Sequence, residues 1–139
     1  MLRTTLLTVV LAAVAAVAQP ALAQSVGADG VLRDPAGRTL YVFDRDDPSG
    51  ASRCYEGCAE VWPAFVAKIG AEVKGELTVH TRTDGRMQWG WNGKPLYTFA
   101  GDQAPGDAEG DGLGGVWHAV RLRPSEPQPP ARLAGATPG

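Results

Sequence analysis

Gly37-Arg-Thr-Leu-Tyr-Val-Phe-Asp-Arg-Asp46 returns 56 positions later as Gly93-Lys-Pro-Leu-Tyr-Thr-Phe-Ala-Gly-Asp102. Both copies read Gly-basic-x-Leu-Tyr-x-Phe-x-x-Asp, with five identities and one Arg/Lys exchange in ten ungapped residues. That density of matches in a short chain marks an internal repeat. In each copy the aliphatic and aromatic run predicts a strand. Its alternation puts Tyr41 and Phe43 on one face and Leu40 and Val42 on the other. Tyr97 and Phe99 pair in the same way, so each copy offers two aromatic rings to a shared core. Turn chemistry follows both copies. Asp47-Pro-Ser-Gly50 has the pattern of a type I turn, and Ala104-Pro-Gly-Asp107 the Pro-Gly centre of a type II turn. Asp46 and Asp102 stand just before these turns. The structural role expected of them is to accept turn N–H groups or a nearby hydroxyl, the functional alternative being a ligand or metal contact.

Outward from the repeat, frequent Gly and Pro and short apolar runs predict a mainly β domain. It is expected to be small and antiparallel, built from the duplicated motif, with one short helix after the first copy. Strands are predicted at 31–33, 39–44, 76–82, 86–91, 95–99 and 115–123. Thr83-Asp-Gly85 and Asn92-Gly93 punctuate the third, fourth and fifth into an antiparallel meander, the second punctuation suiting a type I′ turn. The helix is predicted over 58–67, with Ala59, Trp62, Phe65 and Val66 as its apolar stripe. Pro63 interrupts it, so a helix ending near Trp62 is an equal alternative. Trp62 and Trp117 occupy matching places after the two motifs and are expected in the core. Trp89 and Trp91 share one face of a strand and, with the acidic loop residues Asp107, Glu109 and Asp111, form the candidate ligand surface.

Met1 to Ala23 has the order of a secretory leader: Arg3, an apolar run over 6–17, and Ala21-Leu-Ala23 as a small-x-small cleavage site. The leader is thus assigned to 1–23, the duplicated domain to 24–123 and a disordered Pro-rich tail to 124–139. Loss of Arg3 takes the formal charge from −2 to −3, which argues against nucleic acid as a partner. No run is long enough for a membrane span.

Cys54-Tyr-Glu-Gly-Cys58 contains both cysteines of the chain. In an exported protein a disulfide between them is the default. Helical i, i+4 geometry holds Cβ atoms too far apart, so Gly57 is expected to tighten the loop. A loop this small contributes little chain entropy, which leaves a reducible redox pair or thiolate ligands as the functional alternative.

Several features together resemble the bacterial secreted-repeat proteins, predicted lipoproteins known for a Tyr-x-(Phe/Trp/Tyr)-x-x-Asp motif. They are the duplicated Leu-Tyr-x-Phe-x-x-Asp, Cys54-x-x-x-Cys58-Ala59 leading to Trp62-Pro63, Asp84-Gly85 with Gln88, Gly93-x-Pro95-Leu96-Tyr97, and Asp102 to Asp107 ahead of Gly115-x-Trp117. The resemblance runs from about Gly30 to Val120 and implies an exported domain of unassigned biochemical role. Gln24 stands where a lipidated Cys is found in many relatives. A periplasmic or secreted, non-lipidated form is therefore expected.

The chemical inventory is thin. His80, His118, Met87 and the two cysteines supply the residue types of a copper site, but their spacing does not gather them. His118 is expected packed and hydrogen-bonded, and His80 solvated on a strand. Both stay weak metal candidates. Asp107-Ala-Glu-Gly-Asp-Gly112 opens like a calcium loop but ends on His118 where a bidentate Glu is required. No hydrolase elbow, phosphate loop or zinc-protease motif is present. The sequence therefore predicts a non-enzymatic binding or envelope-interaction module without cofactor, its partner an envelope protein or small ligand. A periplasmic redox or metal/haem-handling accessory using Cys54 and Cys58 is the alternative.

Overall fold

β-Branched and aromatic residues at Tyr41–Phe43 form a strand (β3) that needs cover on both faces, and the rest of the chain supplies it. The computed structural model describes residues 12–15 and 24–122. The leader cleavage site and the Pro-rich tail lie outside the described residues. In chain order the other elements are β1 (Ser25–Val26), β2 (Leu32–Arg33), α1 (Gly57–Val61), β4 (Val66–Ala67), β5 (Leu77–Thr81), β6 (Met87–Trp91), β7 (Lys94–Pro95) and β8 (Trp117–Ala119). A 3-10 turn spans Leu113–Gly115.

All strand pairs are antiparallel. β1 pairs with β2 and β3 with β8, while β6 is the centre of a larger sheet with β5 on one side and β4 and β7 on the other. The β5-β6-β7 meander follows the predicted punctuation. Asn92 and Gly93 both carry positive φ, 50° and 80°, as a type I′ turn demands. At Ala104–Asp107 the Asp107 N–H closes on the Ala104 carbonyl at 3.1 Å and Gly106 has φ 89°, the conformation a type II turn requires.

Five of the predicted strands are present but shorter, and the one predicted over 95–99 is corrected: β7 ends at Pro95, and Leu96 to Phe99 have β pairing only through isolated bridges at Tyr97. Val31, Thr39, Tyr97 and Arg121 each take part in such bridges. Of the two helix readings, the continuous one over 58–67 is corrected and the one ending near Trp62 holds, with α1 spanning Gly57–Val61. Pro63 cannot donate to a further turn, and Val66–Ala67 leaves the helix to pair with Gln88 and Met87.

Alternation on β3 divides the interior in two. Tyr41 faces a core with Val31, Cys54, Trp62, Tyr97, Trp117 and Ala119, with Phe43 and Phe99 packed against it. Leu40 and Val42 face a second core made of Leu32, Ala67, Leu77, Trp89, Leu96 and Val120. The expected placing of Trp62 and Trp117 in the core holds.

Two glycines separate backbone strain from packing. At Gly93 a Cβ would meet nothing within 4 Å, yet φ is +80°. At Gly57 a Cβ also meets nothing, and the residue lies in α1 without a positive φ. Gly93→Ala is expected to lower stability by about 1 kcal/mol through left-handed strain alone. Gly57→Ala is expected to raise it by about 0.5 kcal/mol. Urea unfolding of both variants against the parent checks the opposite signs.

Candidate functional site

Tyr41 and Tyr97, the central residues of the two motifs, are paired directly. The Tyr41 N–H donates to the Tyr97 carbonyl at 2.8 Å and the Tyr97 N–H to the Tyr41 carbonyl at 2.9 Å. Their side chains then reach across to the other copy. The Tyr41 hydroxyl donates to Asp102 Oδ2 at 2.7 Å, and the Tyr97 hydroxyl to Asp46 Oδ2 at 2.8 Å. The second oxygen of each carboxylate accepts a backbone N–H seven residues onward: Arg53 to Asp46 and Glu109 to Asp102, both at 2.8 Å. The two aspartates thus take the structural role expected of them, and the hydroxyl each accepts comes from the opposite repeat.

The aromatic rings combine contacts within each copy, Tyr to Trp, with contacts across copies, Phe to Trp and Trp to Trp. Tyr41 meets Trp62 edge-on at 5.3 Å and Tyr97 meets Trp117 edge-on at 5.2 Å. Phe43 stacks on Trp117 at 4.1 Å and Phe99 leans on Trp62 at 4.5 Å. Trp62 and Trp117 lie face to face at 3.8 Å and 4°. Pairs of this kind contribute about 0.5–1.5 kcal/mol each beyond the area they bury. Gly110 allows the approach, since a Cβ there would meet Trp62 at 2.7 Å and Phe99 at 3.0 Å.

Burial is the main cause that pushes both tyrosines well above the ordinary phenol range, and the facing aspartates add to it. Asp46 is raised as well. Burial is the larger cause there, opposed by the Arg53 N–H and the Tyr97 hydroxyl.

A polar network that the sequence did not reveal surrounds Asp46. Ser52 Oγ lies 2.6 Å from the Tyr97 hydroxyl and accepts Arg82 Nη1 at 3.1 Å and the Cys54 N–H at 3.2 Å. With two donors already on it, Ser52 turns its own proton toward Tyr97, which gives the order Ser52, Tyr97, Asp46. Arg82 is buried. It donates to Gln88 Oε1 at 2.7 Å and to the Cys54 carbonyl at 2.8 Å, and its guanidinium covers the Tyr55 ring at 4.3 Å. Gln88, also buried, passes its amide to the Leu96 carbonyl. An Arg after a strand of Thr and His looks like a solvated end. Only its neighbours in space reveal it as buried.

Cys54 and Cys58 form the expected disulfide, Cα to Cα 5.2 Å, with Cys54 fully buried. The tight conformation falls on Glu56, at φ 50°, and not on Gly57 as expected. Cys54 Sγ lies 3.9 Å from the Trp62 carbonyl oxygen, so the bridge holds α1 where Trp62 can enter the stack.

The candidate ligand surface is corrected. Trp89 is buried and Trp91 packs, partly buried, against the same second core, because Leu32, Leu40, Leu96 and Phe65 pack over that face of β6. Two of the three acidic loop residues are engaged locally, and Glu109 stays exposed. Asp107 Oδ2 accepts the Gln103 and Ala104 N–H groups, and Asp111 takes the Ala119 N–H at 2.9 Å and Arg121 at 2.6 Å. The Ala119 N–H, followed by Arg121, holds Asp111 below the usual carboxylate range. No group of three His, Cys, Asp or Glu among the described residues is arranged to hold a metal.

His118 is hydrogen-bonded as expected, to Asp44 Oδ2 at 2.7 Å, but the pair is about half exposed instead of packed. His80, expected solvated, is half-buried. Its Nε2 lies 2.8 Å from Thr78 Oγ1, and the ring fills the space that Cβ atoms on Gly50 and Gly90 would occupy.

A profile described as a secreted repeat of unknown function matches this chain twice, over residues 25–66 and 78–121. The chain belongs to that family. No curated protein and no solved structure gives a match. The two matched segments are the two halves that cross through Tyr41 and Tyr97. Among the described residues no helix is long and apolar enough to cross a membrane.

Two outcomes test the geometry. In double-mutant cycles, Tyr41→Phe with Asp102→Asn is expected to show about 0.5–3 kcal/mol of coupling, and Tyr41→Phe with Asp46→Asn no more than ~0.5 kcal/mol, although Asp46 is in the same motif copy. The second concerns His80. Burial lowers its affinity for a proton in the fold, partly opposed by Asp46. The unfolded chain therefore binds the proton first as pH falls, and stability present at pH 7.5 declines below about pH 6.5. Thermal unfolding at pH 7.5 and 5.5 is expected to show a smaller loss for His80→Asn than for the parent.

Proposed function

We propose that this secreted-repeat protein is exported, cleaved after Ala23, and acts as a non-enzymatic interaction module at the cell envelope. The observation that carries the reading is an open groove of about 520 Å³ lined by Ala28, Asp29, Arg33, Gly37, Pro105 and Gly106. It straddles the seam between the repeats, where the Gly106 N–H donates to the Gly37 carbonyl at 3.0 Å. Small residues and Pro105 give it a shallow apolar floor. At its side Arg33 and Asp29 close on each other through two bonds of 2.7 and 2.8 Å. Such a surface suits an extended, largely uncharged segment of another envelope protein, bound by contact area with few charges.

The Tyr and Asp groups of the motif support the same reading from the opposite direction. Each hydroxyl and carboxylate is committed to its partner in the other repeat. A general acid or base needs a group free to meet substrate. A redox role for the cysteines has less support, since Cys54 is buried and anchors the Arg82 network.

A photo-crosslinking residue at Ala28, compared with one at Ile69, which is 94% exposed and outside the groove, tests the proposal on isolated envelopes. A discrete envelope-protein adduct is expected at Ala28 and absent at Ile69. An excess of unlabelled parent chain is expected to suppress it, and the same excess of an unlabelled Ala28→Trp chain to leave it in place. Adducts at both positions alike, or at neither, would overturn the reading.

A further inference from the structure

The bonds that close this fold run between the repeats. β3 pairs with β8 and β4 with β6, each pair joining the first half of the chain to the second. Leu32 N–H reaches Val120, Phe65 N–H reaches Leu96, Thr98 N–H reaches Pro63, and Ala100 N–H reaches Val61, all at 2.9 Å. The Tyr–Asp pairs and the Trp62–Trp117 stack also cross. One short segment joins the halves: Lys68 to Glu76, nine residues between β4 and β5. It is exposed except for a partly buried Ala71, and Ile69 and Val73 stand out in solvent.

We propose that each repeat carries a complete binding surface for the opposite repeat of a second copy of this chain, so that two chains associate by exchanging halves wherever the 68–76 linker cannot close within one chain. The exchanged dimer holds every contact of the closed monomer twice, and only the linker differs. The groove lies at the edge of this surface and would be rebuilt from two chains, but the exchange rests on the strand, Tyr–Asp and Trp contacts and does not depend on the function proposed for the groove.

Linker length decides which form wins. Ala67 sits opposite Met87 and Leu77 opposite Trp91, on the two sides of β6. Two strand spacings and four residues of rise separate them by about 17 Å. Ten Cα steps span that gap easily, with a reach of about 34 Å. Removal of Gly70 to Gly75 leaves four steps, about 14 Å, which is too short to close within one chain.

The Gly70–Gly75 deletion is therefore expected to double the molar mass in light scattering while keeping the near-UV spectrum of the Trp62–Trp117 stack. A folded monomer from that deletion would overturn the proposal. A full-length chain with a protease site at Gly70–Gly75 supplies a second test that does not need the shortened chain to fold. Cut after folding, its halves are expected to co-elute and to rejoin one to one after dilution from urea. Halves that part under native conditions, or rejoin no better than either half with itself, would overturn it.

Discussion

The mutual backbone bonds of Tyr41 and Tyr97 are the constraint from which the rest of the molecule follows. Each residue is the other's counterpart in the repeat, so the pair stands where the two copies meet and everything beyond it comes in twos. Its hydroxyls pass into opposite copies to Asp102 and Asp46. Trp62 and Trp117, which follow the two tyrosines by 21 and 20 residues, meet face to face beside them. The motif needs Tyr at this position because a Phe would fill the same volume and leave a partly buried carboxylate without its donor, at a cost of about 1–3 kcal/mol. It needs Leu one residue earlier because the reverse face, through Leu40 and Leu96, closes the second core.

The two halves have diverged around this common frame, and the divergence is electrostatic. Beside Asp102, the Tyr41 hydroxyl accepts the Gly110 N–H at 3.3 Å. Beside Asp46, the corresponding space holds Ser52, Gln88 and the buried guanidinium of Arg82. A buried charge is tolerated only when its hydrogen bonds are met. Arg82 meets most of its own with Gln88, Ser52 and the Cys54 carbonyl, while Asp84 Oδ2 stands 3.6 Å from Nε. That arrangement ties the disulfide segment to the centre of the fold. The bridge closes a ring too small to restrict the unfolded chain strongly, and its value is positional, fixing where Cys54 presents its carbonyl and where α1 begins.

Most of the frame was legible because it rests on local rules. Duplication, period-two alternation and the Asn92-Gly93 turn are enough to place the first motif strand, the meander and the matching tryptophans. Asp46 and Asp102 were legible in kind, as turn carboxylates accepting N–H and hydroxyl groups. Which hydroxyl each accepts was not, because crossing between copies leaves no trace in spacing. Trp89 and Trp91 were misplaced for a related reason. Alternation puts them on one face but does not say that Leu32 and Leu40, far back in the chain, will pack over it. His80 follows the same logic. Its burial depends on Gly50 and Gly90, one distant in sequence and one on the neighbouring strand.

A repeat that closes its core only against its twin has no complete core of its own. One copy supplies half of the Trp stack, one Tyr and the wrong Asp for that Tyr. Fusion in one chain changes the thermodynamics of that encounter. As separate molecules the halves would lose translational and rotational freedom on meeting, whereas a nine-residue tether holds them at an effective concentration in the millimolar range. The closure cost of such a tether grows only slowly with its length, so the linker is free in sequence while the motif is not. This accounts for the contrast along the chain between exposed Ile69 and Val73, which touch little, and Leu40, Tyr41, Leu96 and Tyr97, which are fully buried. Selection on such a fold acts on the complementarity of two nearly equal surfaces. A change in either copy is felt by the other, and the motif therefore persists in both.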